Sequence, residues 1–460
     1  MEPTLTDTTT ITALSTPPGE GGIAVVRVSG PDALEIVNGA WQGHDLLSVT
    51  SHTVHLGTYR DLGGDLLDQC VATVYRAPHS FTGEDVVELS LHGSRWIQRT
   101  VLADLAARGC RPASRGEFSQ RAFLNGKIDL AQAEGIADLI AAESRAAHRL
   151  AMTQAKGSFS RRLDALRQSM VDFASMIELE LDFSEEEVEF ADRAQLLALA
   201  ADTSGLIDKL IRSFAAGNAL KEGIAVVIAG CPNAGKSTLL NHILDDDKAI
   251  VSDVPGTTRD IIEGEHEIDG VLYRFVDTAG IHDTGDPVER IGIARTRSNM
   301  AKAAVIVWLL DSTAPLEPQL ETLTISRQEN PNTPFVMAVN KTDIASLDSS
   351  VAKTAGIPVV EISAATGFGA DALIEKVKEA ACGDCATASD LVVTNLRHYE
   401  ALLKVKEALQ RAIEGIRHNL SGDFIAQDIR EAIHYLGTIT GAITTDTLLH
   451  TIFSRFCIGK

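Results

Sequence analysis

The chain has 460 residues, a formal net charge of −22, 45% hydrophobic residues and 23% charged residues. That length predicts about three domains, and the composition is globular, with apolar material enough for real cores. The acidic balance excludes a protein that grips nucleic acid by itself over a wide surface; phosphate contacts would have to come from a small basic patch or a partner.

The first basic residue is Arg27, so the N-terminus lacks the charged region of a signal peptide. The longest apolar run, Ala303 to Leu310, is too short to span a bilayer. The six cysteines, at 70, 110, 231, 382, 385 and 457, are scattered as in a reducing compartment. The expectation is a soluble cytoplasmic protein with no membrane association. Cys382-Gly-Asp-Cys385 has no second pair at zinc-site spacing and reads as an incidental linker pair.

Residues 1–124 read as a mixed α/β domain. Ile23–Val28 and Val71–Tyr75 are strand-like, and Asp85–His92 alternates, with Val87, Leu89 and Leu91 on one face and Glu88, Ser90 and His92 on the other. Pro17-Pro18 with Gly19, Gly21 and Gly22 predicts a turn before the first strand. Residues 125–220 read as the first part of a helical domain. No proline occurs between Pro112 and Pro232, and neither Gly nor Pro between Ser158 and Ser204, a composition that favours long helices. The acidic run Ser184–Glu189 could cap or break one of them, and is read as a solvated face.

Residues 221–382 repeat a pattern of strand, turn and helix. Ala225–Ala229, Val305–Leu310, Phe335–Val339 and Val359–Ile362 are short apolar runs of the kind found in buried parallel strands, so a doubly wound sheet is expected. After a small-residue linker, residues 383–460 return to helix, with Leu402, Val405, Leu409, Ala412 and Ile416 at 3,4 spacing. The fold class is therefore α/β and α: an N-terminal α/β domain, a long-helix domain and a Ras-like P-loop domain inserted within it. Helices flanking the insertion would pack together and return the C-terminus towards the start.

Four elements carry nucleotide chemistry. Gly230-Cys-Pro-Asn-Ala-Gly-Lys-Ser237 fits G-x-x-x-x-G-K-[ST], follows a strand and opens a helix at Thr238. Backbone N–H groups about Asn233, Ala234 and Gly235 would wrap the phosphates, Lys236 would neutralise β/γ charge, and the Ser237 hydroxyl would ligate Mg²⁺. Gly256-Thr-Thr-Arg-Asp260 is a Thr-bearing loop suited to closing Mg²⁺ coordination. In Asp277-Thr278-Ala279-Gly280, Asp277 can reach Mg²⁺ through water and the Gly280 N–H can meet the γ-phosphate. Asn340-Lys341-Thr342-Asp343 follows a strand, and the Asp343 carboxylate can accept both N–H groups of the guanine edge. Adenine lacks that donor pair, and sites of this kind discriminate by roughly 10⁴-fold or more. Ser363-Ala364 follows the next strand, where its backbone can contact guanine O6. The substrate is therefore GTP.

Many GTPases follow the glycine of D-x-x-G with a glutamine that orients the attacking water. Here the next residue is Ile281, which cannot hydrogen-bond water. Asp283, Asp286 and Glu289 are candidate organisers or solvated loop charges. The transition state also needs positive charge, from an arginine finger or a metal ion. Asn233 is either a turn residue or a ligand for a monovalent cation placed where a finger would act.

Phe456-Cys-Ile-Gly-Lys460, taken with the motifs above and with Val288-Glu-Arg-Ile-Gly, resembles the MnmE (TrmE) family of tRNA modification GTPases. Thr16-Pro-Pro-Gly-x-Gly-Gly, Ser80-Phe-Thr-Gly-Glu-Asp and Arg121-Ala-Phe-Leu-Asn-Gly-Lys-Ile-Asp-Leu-Ala-Gln-Ala-Glu match too, so the resemblance covers essentially the whole chain. It implies a potassium-activated GTPase that dimerises through its N-terminal domain. K⁺ would be bound by Asn233, Ser252, the Val254 carbonyl and Thr257, and Mg²⁺ by Ser237 and Thr258. Asp253, Pro255, Gly256 and Ala365 join the GTP-binding set, and Glu289 is the implied catalytic residue, orienting the water indirectly. His282 stands where many members carry Arg. The resemblance further implies a 5-formyl- or methylene-tetrahydrofolate site at Arg27, Glu88, Lys127 and Lys460. It also implies a heterotetramer or larger complex with the FAD protein MnmG, which adds a carboxymethylaminomethyl or aminomethyl group at C5 of the wobble uridine (position 34) of certain tRNAs. Cys457 is either a catalytic thiol near that pocket or a small buried apolar residue. A ribosome-assembly GTPase switch and a purely structural GTP-dependent dimer are the rival readings. The acidic balance disfavours the basic RNA-binding domain that the first of these needs.

Overall fold

The computed structural model describes residues 8–182, 193–244, 249–250, 263–277, 296–346, 356–381, 392–418 and 420–459. The chain forms two compact units. One comprises Met1–Ala137, Thr153–Leu197 and Glu407–Lys460; the other comprises Asp138–Met152 and Ala198–Lys406. No helix among the described residues is long and apolar enough to cross a membrane.

In the first unit a seven-stranded sheet has the order β3-β4-β5-β6-β2-β1-β7. Its strands are β1 (Ile11–Leu14), β2 (Gly21–Ser29), β3 (Trp41–Gln42), β4 (Thr53–Arg60), β5 (Leu66–Tyr75), β6 (Val86–Gly93) and β7 (Arg111–Pro112). The ladders are antiparallel except β1–β7. Alternation then sorts the side chains by face. Val26, Val28, Ala72, Val74, Leu89 and Leu91 form a core with Val37 of helix α1 (Ala33–Asn38) and Val101 and Leu105 of α2 (Arg95–Ala107). Arg27 and Glu88 stand opposite each other on the other face.

The turn expected before the first strand differs here. β1 precedes the proline-rich turn, and Gly21 and Gly22 belong to β2, at the point where its register with β6 shifts. Four residues of β1 are too few to show a period, and pairing with β2, not local propensity, makes them a strand.

Helices α3 (Glu117–Leu124), α4 (Leu130–Ala141), α5 (Arg145–Ala155) and α6 (Ser158–Asp182) follow. The acidic run 184–189 lies outside the described residues, and α7 (Arg193–Glu222) leads into the second sheet. The two helical stretches pack on one another as the order of elements predicts. Within the first unit, α6 lies on α12 (Gly422–Thr440), with Glu178 paired to Arg430. Within the second, Phe214 stacks on Tyr399 at 4.4 Å and Asp208 pairs with Lys406 at 2.7 Å, joining α7 to α11 (Leu396–Arg417). The predicted stripe Leu402, Val405, Leu409, Ala412 and Ile416 is buried throughout. The last helix, α13 (Asp446–Phe453), buries Leu449, Ile452 and Phe453 against Leu130 and Ala133 of α4.

The second sheet has the order β14-β13-β12-β8-β11-β10-β9. Strands β8 (Ile224–Gly230), β11 (Val271–Asp277), β12 (Val305–Asp311), β13 (Phe335–Asn340) and β14 (Val359–Glu361) are parallel. Alternate residues of the same strands feed two separate cores. Val226, Ile228, Val305, Val307, Val336 and Ala338 pack with Leu239 and Leu240 of α8 (Lys236–Leu244) and with Leu373 and Val377 of α10 (Ala370–Ala381). Val227, Ala229, Ile306, Trp308, Met337 and Val339 pack with Leu323 of α9 (Leu316–Glu329). Helices on both faces explain why these strands read as unbroken apolar runs. Antiparallel β10 (Glu263–Ile268), joined to β11 by the left-handed pair Asp269-Gly270, departs from the simple parallel expectation, as does β9 (Ala249–Ile250) beside it.

Candidate nucleotide and folate sites

The phosphate loop sits where strand β8 ends and α8 begins, so the first N–H groups of α8 face the loop. Lys236 is buried, and its ammonium donates to the carbonyls of Gly230 (3.3 Å) and Cys231 (3.0 Å). Burial pulls its pKa down, against the opposing charges of Asp277 and Cys231. A negative phosphate beside it would reverse that cost. Asn233 is exposed with φ at +60°, in the left-handed region where asparagine is tolerated.

Ser237 donates from its hydroxyl to Asp277 Oδ2 at 2.6 Å, so strand β11 delivers the carboxylate to the first turn of α8. Asp277 Oδ1 is buried without a hydrogen-bond partner among the described residues. A hydroxyl beside a half-satisfied carboxylate is an oxygen donor set that fits Mg²⁺.

The base-reading loop is tied to the phosphate loop by one side chain. Asn340 is 2% exposed; its amide donates to the Ala234 carbonyl at 2.7 Å and its oxygen accepts the Ala364 N–H at 2.9 Å. Gly235, φ +97°, lies so close that a Cβ there would meet Asn340 Nδ2 at 2.3 Å, so the contact requires glycine. Thr342 donates to the Ile362 carbonyl at 2.9 Å. Asp343 is exposed beyond this anchored stretch, and Ser363 is buried while Thr238 and Ala365 are exposed.

Ser252, Asp253, Val254, Pro255, Gly256, Thr257 and Thr258 lie outside the described residues, as do Thr278, Ala279, Gly280, Ile281, His282, Asp283, Asp286, Glu289 and Lys460. The pair Cys382 and Cys385 does too.

In the first unit Arg27 pairs with Glu88 at 2.8 Å, and the Arg27 guanidinium lies over the rings of Phe81 (5.7 Å) and Phe118 (5.5 Å). Arg27 Nη1 also donates to the Gly459 carbonyl at 3.3 Å, and Ser15 donates to the same carbonyl at 3.1 Å. The two chain ends therefore meet at this residue. Gly459 has φ +92°, and a Cβ on it would strike the Leu14 carbonyl at 2.2 Å. Lys127 is exposed and donates to the Pro78 carbonyl at 2.8 Å, while Asn125 donates to the Thr82 carbonyl at 2.7 Å. Both therefore brace the loop that carries Phe81. Cys457 is a free, exposed thiol, not a buried apolar residue.

Sequence reasoning missed a buried ionic chain behind this loop. Glu117 accepts from Arg111 (3.0 Å), Arg121 (3.1 Å) and the Ser114 N–H (2.8 Å), and Arg121 reaches on to Glu84 (3.0 Å), which accepts from Ser29 (2.7 Å). The spacing Glu117–Arg121 is an i,i+4 pair and was its one local signal.

A phosphate cradle at a helix N-terminus, an oxygen pair for a divalent cation and a base loop locked to the cradle by Asn340 are the working parts of a P-loop GTPase, the class to which this protein belongs. Its particular kind comes from comparison. A family model described as the MnmE helical domain matches residues 130–457, and one described as the GTP-binding protein TrmE N-terminus matches residues 10–127. The tRNA modification GTPase MnmE of Cytophaga hutchinsonii is 45% identical over 454 residues, covering 98% of both chains. That of Christiangramia forsetii is 47% identical over 470 residues, covering 98% of this chain and 99% of its own. Among solved structures, the G domain of the T. maritima FeoB iron transporter is 30% identical over 34% of this chain and 98% of that chain, with a TM-score of 0.29. Aquifex aeolicus Era bound to GDP.AlF4- is 26% identical over 40% of this chain and 66% of that chain, also with a TM-score of 0.29. The chain belongs to the MnmE family of tRNA modification GTPases.

Proposed function

We propose that this GTPase is potassium-activated and works in the cytoplasm as a homodimer. With MnmG it would install an aminomethyl or carboxymethylaminomethyl group at C5 of tRNA uridine 34, using a methylene-tetrahydrofolate donor. The observation that carries the reading is the convergence of Arg27, Glu88 and Gly459 in a unit separate from the nucleotide loops. It supports two chemistries on one chain, a folate site and a GTP site. The division follows that assignment: a folate and dimerisation domain at 1–124, helical parts at 125–220 and 383–460, and the GTPase domain at 221–382.

In the folate site, Glu88 accepts the paired N–H groups of the pterin ring with Arg27 ion-paired beside it, while Lys127 and Lys460 supply cations for the glutamate tail. Phe81, exposed, offers a flat apolar face beside Arg27, while Phe118 is buried beneath the guanidinium. A folate supplies the one-carbon unit. Cys457, exposed next to this site in sequence, is a candidate nucleophile.

In the GTP site, Lys236 and the backbone of residues 233–238 hold the phosphates. Ser237 and Thr258 would hold Mg²⁺ directly and Asp277 through water, and the ion would neutralise phosphate charge. The Gly280 N–H would meet the γ-phosphate, with Thr278 and Ala279 in the same GTP-binding set, and Asn340, Lys341, Thr342 and Asp343, with Ser363, Ala364 and Ala365, would hold the guanine. The exposed Asn233, with Ser252, Val254 and Thr257, holds K⁺ in the place of an arginine finger. Glu289 orients the water that Ile281 cannot.

The test is GTP turnover at equal ionic strength in K⁺ and in Na⁺. Turnover should be faster in K⁺, and Glu289→Ala should slow it by about 10²-fold or more, the scale of a positioned acid–base group, with nucleotide affinity similar. Equal rates in the two salts, or a fully active Glu289→Ala, would defeat the assignment.

A further inference from the structure

We infer that Asp311 is a positioning residue for guanine recognition, holding Lys341 and with it the loop that presents Asp343. The inference rests on the reading of Asp343 given above.

Asp311 ends β12, one strand away from the base loop that follows β13. Its main chain is fixed on both sides by one buried amide. The Asp311 N–H donates to Gln319 Oε1 at 2.8 Å and its carbonyl accepts from Gln319 Nε2 at 3.0 Å, and Gln319 is only 4% exposed. The carboxylate is then aimed. Oδ1 accepts from the Thr313 hydroxyl (2.6 Å) and N–H (2.9 Å), which leaves Oδ2 for the Lys341 ammonium at 2.6 Å. Ser312, the next residue, donates to the Lys341 carbonyl at 3.0 Å. The end of β12 therefore grips Lys341 by both backbone and side chain.

Lys341 needs that grip. Its φ is +66°, a left-handed conformation that a lysine has no intrinsic reason to adopt. The residues on either side are also tied, Asn340 to Ala234 and Ala364, and Thr342 to Ile362. Three successive residues, each held by hydrogen bonds to other parts of the fold, fix where the fourth, Asp343, projects. Burial works against the Asp311 charge, but the hydrogen bonds from Lys341 and Thr313 and the Lys341 charge hold its carboxyl below the usual aspartate range.

The experiment compares GTP with ITP, whose base lacks the exocyclic amino group. The unaltered protein should bind GTP more tightly than ITP. Asp311→Asn, close to isosteric, should raise KM for GTP by about ten-fold, the scale of one charge-assisted hydrogen bond, with kcat at saturation changed by less than about two-fold. The GTP-over-ITP preference should shrink, because ITP has less to lose from a misaimed Asp343. Asp311→Ala and Lys341→Ala should be non-additive in a double-mutant cycle. If Asp311→Asn does not fold, Thr313→Val, which removes the hydroxyl bond to Oδ1, keeps the N–H bond and does not touch Lys341, decides by the same ratio. A protein with no preference for GTP over ITP would overturn the reading of Asp343. A normal preference left intact in Asp311→Asn or in Thr313→Val would overturn the role of Asp311.

Discussion

The Ser237 hydroxyl donates to Asp277 Oδ2 at 2.6 Å, joining the first turn of α8 to the end of β11 across 40 residues of chain. Two oxygens that arrive from separate elements at one point, with a third oxygen buried and unbonded among the described residues, are a donor set that fits a hard cation. Chelation of Mg²⁺ should abolish GTP turnover. Ser237→Ala should slow turnover by about 10²-fold or more and raise the Mg²⁺ concentration needed, since several kcal/mol of charge stabilisation runs through the metal. Turnover indifferent to chelator, or a Mg²⁺ titration unmoved in Ser237→Ala, would contradict the pairing.

The ionic chain behind the Phe81 loop gives a stability prediction with a definite sign. Burial of Glu117 favours its neutral form, but the hydrogen bonds from Arg111 and the Ser114 N–H, with the charges of Arg111 and Arg121, hold its pKa below the usual glutamate value. A carboxyl with a lower pKa folded than unfolded contributes stability above the unfolded value, and that contribution is lost as pH falls through the folded one. Glu117→Gln should therefore cost about 3 kcal/mol at neutral pH, the low end for removing one partner of a buried ion pair. The gap between the two proteins should narrow as pH falls below about 4. Urea unfolding across pH 3–7 measures it, and a gap constant over that range would show that the charge is not the cause.

Much of this was legible in the sequence, and what was not shares a physical reason. The strands of the nucleotide domain showed as apolar runs because both faces are covered, and the phosphate loop showed because its chemistry lies within eight consecutive residues. The α11 stripe showed because its period is local. β1 and the β10–β11 hairpin were missed because pairing decides them, although Asp269-Gly270 was a turn signal. The Arg27–Glu88 pair needs the β2–β6 register, 61 residues apart, and Gly459 beneath Leu14 needs the whole chain to close. Asp311 followed an apolar run in plain view, but its partner Lys341 is set by the β12–β13 register. Those residues became candidates by resemblance or by geometry, never by spacing.

Separation of the two chemistries should be visible in single variants. On the proposed folate assignment, Glu88→Ala removes the acceptor for the pterin N–H pair and should abolish folate binding. Deleting Lys460 removes a cation and turns the Gly459 carbonyl, which accepts from Arg27 and Ser15, into a carboxylate, and should weaken it. Both should hydrolyse GTP in K⁺ at near-normal rates. Folate titration by fluorescence and a GTPase assay on the same preparations check this, and normal folate binding by folded Glu88→Ala protein would place the pocket elsewhere.

The most direct measurement is nucleoside analysis of tRNA after reconstitution with MnmG, methylene-tetrahydrofolate, GTP, K⁺ and Mg²⁺. The unaltered protein should yield C5-aminomethyl or carboxymethylaminomethyl uridine at position 34. Glu88→Ala should yield unmodified uridine while still consuming GTP, and Ser237→Ala should leave uridine unmodified with GTP largely unspent. Unmodified uridine 34 from the complete mixture, with GTP hydrolysed and every component active by itself, would contradict the account.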